Sequence, residues 1–214
     1  MEELIKHKIF TMEGTKRDLL LTVAMSKFAK NGYKKTTTDE IISEAEISKG
    51  LLFHYFGTKK DLYIFLFEYA NTTIMQDFYE QIDMKERDIL ERLRNMFLLK
   101  LELTNKYPAI FDFVAAAFYE KDSAVATQIN KYTHQLYFDV QKDMFKDIDL
   151  SLFKGNFDVQ KAIEIIIFTI RGYSEAQASP GKHIEDHSNE HEQYIRDIDE
   201  YISVLRTVFY KEGQ

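Results

Sequence analysis

Residues 36 to 62 read Thr36-Thr37-Thr38-Asp39-Glu40-Ile41-Ile42-Ser43-Glu44-Ala45-Glu46-Ile47-Ser48-Lys49-Gly50-Leu51-Leu52-Phe53-His54-Tyr55-Phe56-Gly57-Thr58-Lys59-Lys60-Asp61-Leu62. Thr37 followed three residues later by Glu40 is a capping box, so a helix starts there with Ile41, Ile42 and Ala45 facing inward. Ser48 caps a second helix that runs to about Tyr55, and Thr58 with Asp61 forms a third start signal. Two short helices separated by a turn of three or four residues have the layout of a helix-turn-helix, whose second helix enters the major groove of DNA.

Upstream, Thr15 and Asp18 resemble a capping pair, and Leu20, Val23, Ala24 and Phe28 form a helical stripe over Thr15 to Asn31. Asn31-Gly32 is a stop signal, and residues 1–14 read as a frayed arm. Downstream, a long helix starts after Thr58, with Leu62, Phe65, Leu66, Tyr69 and Ala70 on one face. Further helices fall at about 84–105, 108–119, 123–146, 157–178 and 188–211. Pro108 suits a first helical turn, and Lys154-Gly155-Asn156 and Ser179-Pro180-Gly181 are breaks. Only two prolines and eight glycines in 214 residues agree with an all-α chain. The expected organisation is an N-terminal three-helix helix-turn-helix domain over 1–57 and a larger helical domain over 58–214.

Composition narrows the function. The absence of cysteine excludes disulfides and thiolate metal sites and fits a reducing cytoplasm. The longest apolar runs are too short to cross a bilayer, and the N-terminus lacks a signal-peptide pattern. The net charge of −7 is unevenly spread: residues 1–62 carry +2 and residues 63–214 carry −9. A mildly basic end on an acidic body suggests that one end alone meets phosphate. No Gly-rich phosphate loop, nucleophile elbow or paired His-Glu zinc motif is present, so no enzyme and no cofactor are expected.

A helix-turn-helix needs a small core, donors for phosphates and a surface that reaches base edges. Leu20, Ala24, Phe28, Ile41, Ile42, Ala45, Leu52 and Phe56 can supply the core. Thr37, Thr38, Lys49, Tyr55 and Lys59 have the chemistry for phosphates. Lys49, Gly50, Leu51 and His54 suit bases: lysine can pair with guanine acceptors, leucine can rest on a thymine methyl, and glycine permits close approach.

The run Gly32-Tyr33, Thr36-Thr37, Ile41-Ile42, Ala45, Ile47-Ser48-Lys49-Gly50, Leu52-Phe53-His54-Tyr55-Phe56, Lys59 and Leu62 resembles the TetR/AcrR family of bacterial transcriptional regulators. The resemblance covers about 45 residues; beyond them the chain is similar only in being helical and of the right length. It implies a homodimeric repressor whose N-terminal helices bind double-stranded operator DNA. It implies that the last two helices, about 157–178 and 188–211, pair with a second subunit, and that the body binds a small-molecule effector. Thr37, Thr38, Tyr55 and Lys59 would then contact phosphates, and Lys49, Gly50, Leu51 and His54 would face bases. Phe53 stands where the family usually has tyrosine, leaving ring packing without a hydroxyl contact. Glu46 occupies the turn where glycine is usual; a positive φ there costs about 1–2 kcal/mol. Alternatives are an activator, or a helical protein that keeps the three-helix head but works through a small molecule or protein.

The body is rich in aromatics, which favours an apolar or aromatic effector. Phe111, Phe118, Tyr137 and Phe168 are the candidate lining residues, and Arg171 the candidate anchor for an anionic head. An ion pair between Arg171 and Glu175, four residues on, is the simpler account of that arginine. His183, His187 and His191 repeat every four residues, but Pro180-Gly181 precedes them and the segment is polar throughout. A solvated entry to the last helix is expected there, and no metal.

Overall fold

Local capping rules set the helix boundaries. The computed structural model describes residues 6–177 and 188–213; at 137, 139, 141, 143, 177 and 188–191 it describes the backbone alone. Among the described residues the architecture is all helical, with nine α-helices and no strand. They are α1 (Gly14–Lys35), α2 (Thr38–Glu44), α3 (Lys49–Phe56), α4 (Lys59–Gln81), α5 (Ile89–Lys106), α6 (Pro108–Phe118), α7 (Ala126–Met144), α8 (Val159–Gln177) and α9 (Ser188–Phe209). Each lies within a few residues of its expected position. No described helix is long and apolar enough to cross a membrane.

The chain divides into two compact units, and the division does not follow the expected boundary at 57/58. The first unit comprises Met1–Asp77 with Lys106–Tyr137. The reason is packing: α1 lies along α6, and the ring of Tyr63 on α4 stands edge-on to Phe28 of α1 (centroids 4.9 Å apart) and to Phe113 of α6 (5.2 Å). Leu20, Ala24, Phe28, Ile41, Ala45, Leu52 and Phe56 are all buried in that same core, as the spacing predicts. The three N-terminal helices therefore share their interior with part of the body.

The N-terminal arm is not frayed over its described part. A 3-10 turn at Lys8–Thr11 drives Ile9 to full burial, and Phe10 packs edge-on to Phe65 of α4. The His7 ring lies 4.4 Å from that of Phe65 and 5.4 Å from that of Phe56, and its Nδ1 accepts the Ile9 N–H at 3.2 Å. Desolvation, aided by the charge of Lys8, lowers the His7 pKa. A local pattern conceals this anchor because the rings it meets, Phe56 and Phe65, lie far along the chain.

The second unit comprises Phe78–Asn105 with Phe138–Gln214. Its core is built from Ile89, Leu90, Leu93 and Phe97 of α5, Ile163, Ile166 and Ile170 of α8, and Ile198, Ile202 and Leu205 of α9. Past α9 the chain is pinned to the segment at Leu152–Lys154: Lys154 donates to the Phe209 carbonyl at 2.9 Å and Lys211 to the Leu152 carbonyl at 3.0 Å. Arg92 is almost fully buried, and all its described partners are backbone carbonyls, those of Met84, Glu86, Met144 and Lys146. It ties the end of α7 to the entry of α5.

The helices α8 and α9 each carry a second apolar stripe on the outside. Ile165 and Phe168 are exposed on α8, with Phe168 at 65 %, and Gly172 continues the row with open space where a Cβ would stand. Tyr201, Val204 and Val208 repeat the same spacing on α9, with Val204 at 62 %.

Candidate nucleic-acid interface

The site begins with two caps. Thr37 has extended backbone angles and its hydroxyl accepts the Glu40 N–H, while the Glu40 carboxylate accepts the Thr37 N–H at 2.8 Å. The Thr37 hydroxyl also donates to Glu40 at 2.8 Å, and these bonds hold the Glu40 carboxyl below its ordinary range. Ser48 accepts the Leu51 N–H at 3.2 Å and starts α3. Both caps stand where the sequence puts them.

Between them lies a Schellman turn. Ala45 caps the end of α2, the Ile47 N–H donates back to the Ile42 carbonyl at 3.1 Å, and Glu46 takes the left-handed conformation at φ 53°. That is the position where glycine is free of strain. Ile47 then seals the turn by burying its side chain in the shared core.

Helix α3 is split by its own period. Leu52 and Phe56 are buried. Gly50 and His54 lie opposite them on the exposed side, together with Lys49 and Phe53. Gly50 has open space where a Cβ would stand, so backbone can approach a ligand there. Leu51 and Tyr55 are half-buried and pack against the core, so each offers only part of its surface. The Tyr55 ring stands edge-on to His54 at 5.1 Å.

Three charged residues have roles that the sequence alone does not disclose. The Lys49 ammonium is bound by Asp39 of α2 at 3.1 Å, so the first base-reading candidate is held by an acid on the same face. The Lys59 ammonium, expected at a phosphate, turns toward the end of α1. It donates to the carbonyls of Tyr33 (2.9 Å) and Thr36 (3.0 Å), with Lys34 farther off at 3.5 Å, and sits 4.5 Å from the Tyr33 ring centre. Unsatisfied carbonyls at a helix C-terminus attract cations, which explains the choice. Third, Glu120 reaches from the loop after α6 to the Tyr33 N–H at 2.8 Å. Thr38 is half-exposed at the start of α2, and Lys34 and Lys35 are exposed beside it.

The expected effector residues are dispersed. Phe111 is half-buried on α6. Phe118 is exposed against the ring of Tyr119, and Phe168 belongs to the outer stripe of α8. Arg171 is exposed and pairs with Glu175 at 2.6 Å, the ion pair expected from their spacing. The exposed residues Phe118, Phe168 and Arg171 thus do not line an interior, because each projects outward from its helix. The Tyr137 side chain lies outside the described residues, as do His183, His187 and the side chain of His191.

Comparison with known proteins decides the family. The model for bacterial regulatory proteins of the tetR family matches residues 20–64, which run from the middle of α1 into α4. The HTH-type transcriptional regulator QacR of Staphylococcus aureus is 33% identical over 142 residues, covering 63% of this chain and 71% of that protein. The chain belongs to the tetR family. It is a transcriptional regulator with an N-terminal helix-turn-helix. The fold agrees with those of solved family members along nearly the whole chain. A TetR family regulator from Chloroflexus aurantiacus superposes with a TM-score of 0.64 at 17% identity, covering 95% of this chain and 97% of that one. The regulator FadR of Bacillus subtilis, solved in complex with stearoyl-CoA, gives 0.58 at 17% identity, covering 89% and 97%.

Proposed function

We propose that this regulator is a homodimeric, effector-released repressor that grips an approximately two-fold-symmetric operator through two copies of α3. The observation that carries the DNA reading is the division of α3 into a sealed face, Leu52 and Phe56, and an outward face bearing Lys49, Gly50, Phe53 and His54. Lys49 and His54 present donors to base edges, Gly50 allows close approach, and Leu51 offers a thymine methyl an apolar edge. Thr37, Thr38 and Tyr55 take phosphate. Phe53 packs its ring against the sugar-phosphate chain. Lys59 acts one step removed, by holding the residues that lead into Thr37. The division of labour is that 1–57 reads DNA and 58–214 senses and dimerises, even though the two share a core.

The second copy is the occupant best suited to the outer stripes of α8 and α9. Two stripes of equal spacing on neighbouring helices, one ending in an open glycine, are self-complementary when related by a two-fold axis. Recognition helices so paired meet half-sites about 34–36 Å apart or a multiple of that. The effector is a small apolar or aromatic molecule held among helices of the body, a reading supported by the aromatic content there and by the acyl ligand of the FadR relative. It releases DNA by preferring a subunit arrangement that no longer fits two grooves. All of this takes place in the bacterial cytoplasm, where the chromosome is.

Enrichment from a random-sequence duplex pool tests the reading. The protein is expected to select a palindromic site and to lose affinity by about 0.9 log units per log salt for each phosphate engaged. Failure to enrich any duplex, with binding indifferent to salt, would refute it. Native mass spectrometry of the purified protein should show a dimer and any apolar molecule carried with it.

A further inference from the structure

The residues between α1 and α2 carry the recognition helix, so whatever fixes them fixes how α3 is presented. Helical geometry breaks at Gly32, with φ 73° and ψ 171°, and resumes for the last residues of α1. Thr36 is fully buried there, and its hydroxyl donates to the carbonyls of Lys27 and Gly32. The main chain of Tyr33 is gripped on both sides of its Cα. Its carbonyl accepts the Lys59 ammonium at 2.9 Å, and its N–H donates to Glu120 Oε2 at 2.8 Å.

Glu120 reaches this hinge from outside the DNA-reading motif, since the family match ends at residue 64. Its second oxygen, Oε1, accepts the N–H groups of Lys121 and Asp122, each at 2.9 Å. The carboxylate is therefore clamped at the turn that follows α6, and its free oxygen is delivered to one backbone atom of α1. It lies close against the break, because a Cβ on Gly32 would stand 3.4 Å from Oε2. Negative charge is otherwise unwelcome near a surface that must meet phosphate. A carboxylate suits this place because all three of its partners are donors, and only an acceptor at both oxygens satisfies them.

We propose that Glu120 is a positioning residue for DNA binding: through the Tyr33 N–H it sets the hinge from which α2 and α3 hang, and so the angle at which α3 meets the duplex. The proposal rests on the DNA-reading function given above. It has a sign opposite to plain electrostatics. Removing an acid from a DNA-binding protein should strengthen its attraction to phosphate, whereas loosening the hinge weakens binding and blurs the preferred spacing of the two half-sites.

The full chain is tested on a duplex that the parent protein has enriched, and on the same duplex with one base pair inserted at its centre. Glu120→Ala and the isosteric Glu120→Gln are both expected to lose about fivefold or more in affinity for the enriched duplex. Gln cannot satisfy all three donors, because its amide nitrogen must face one of them. The salt slope stays at the parent's value, since no phosphate contact is lost. The penalty for the inserted base pair shrinks, and the Tyr33 amide exchanges faster with solvent. A loss of stability alone would leave the insertion penalty unchanged. If Glu120→Ala does not fold, Glu120→Gln decides alone. Variants that bind as tightly as the parent or tighter, or that keep its insertion penalty, would overturn the role of Glu120. A parent protein with no salt-dependent binding to any duplex would overturn the DNA-reading function itself, and this role with it.

Discussion

The Lys59 ammonium donates to the Tyr33 carbonyl at 2.9 Å while standing 4.5 Å from the centre of the same residue's ring. One cation thus closes the end of α1 and holds an aromatic side chain that packs edge-on to Tyr63. A lysine so engaged is already occupied before DNA arrives. Lys59→Met should therefore weaken binding to all duplexes alike and leave the salt slope unchanged, where loss of a phosphate contact would lower it by about 0.9. The same substitution should lower stability by about 1.5–3 kcal/mol, the scale of hydrogen bonds that involve a charged group. Salt titrations of parent and variant on one duplex decide between the two roles.

Glu46 sits in the left-handed conformation in the turn between α2 and α3. Glu46→Gly should relieve about 1 kcal/mol of strain and raise the melting temperature by about 2–4 °C. It also removes a negative charge beside α3, so affinity for DNA should rise rather than fall. Calorimetry together with a binding isotherm checks both effects; a less stable variant would show that the side chain makes a compensating contact.

Asp39 holds Lys49 at 3.1 Å with both side chains largely exposed, so the pair itself contributes little to stability, about 0.2–1 kcal/mol. Its consequence is for DNA. Asp39→Asn frees one cation on the reading face, and binding to random-sequence duplex should tighten, with a salt slope steeper by about 0.9. Preference for the selected site over random sequence should drop at the same time. A slope equal to the parent's would mean that Lys49 does not reach phosphate when released.

The outer stripes of α8 and α9 give a simple assembly test. Phe168→Glu combined with Val204→Glu changes two exposed positions and should leave the fold intact. Sedimentation velocity should show a monomer, and affinity for a palindromic site should fall steeply while binding to a single half-site persists. A dimer that survives both charges would place the interface elsewhere.

His7 gives the head a pH dependence. Burial, helped by the positive charge of Lys8, makes the folded ring a poorer proton acceptor than the free side chain, whose ordinary value is 6.5. As pH falls through that value the unfolded chain takes up the proton first, so stability is fully present above it and declines below. His7→Phe keeps a ring against Phe56 and Phe65 and should flatten this decline between about pH 7 and pH 5. Melting temperatures across that interval, compared for the two proteins, provide the check.

The parts of this structure that were legible in the sequence obey rules acting over three or four residues. Thr37 with Glu40, Ser48 with Leu51 and Thr58 with Asp61 are such pairs, and they place α2, α3 and the start of α4. The stripe Leu20, Val23, Ala24 and Phe28 is local in the same sense, and all four residues are buried. What the sequence does not disclose depends on distant partners. Ile9 is buried in a core assembled largely by residues far along the chain, Lys59 finds carbonyls 23 to 26 residues away, and Glu120 finds one N–H at a separation of 87. Phe168 shows the same limit: periodicity marks α8 as apolar on two sides without saying which side the protein itself covers.

Arg92 grips four main-chain oxygens and no described acid. Amide oxygens do not take up protons at any ordinary acidity, and guanidinium does not release one. The splice it makes between the α7 terminus and the α5 entry is thus indifferent to acid.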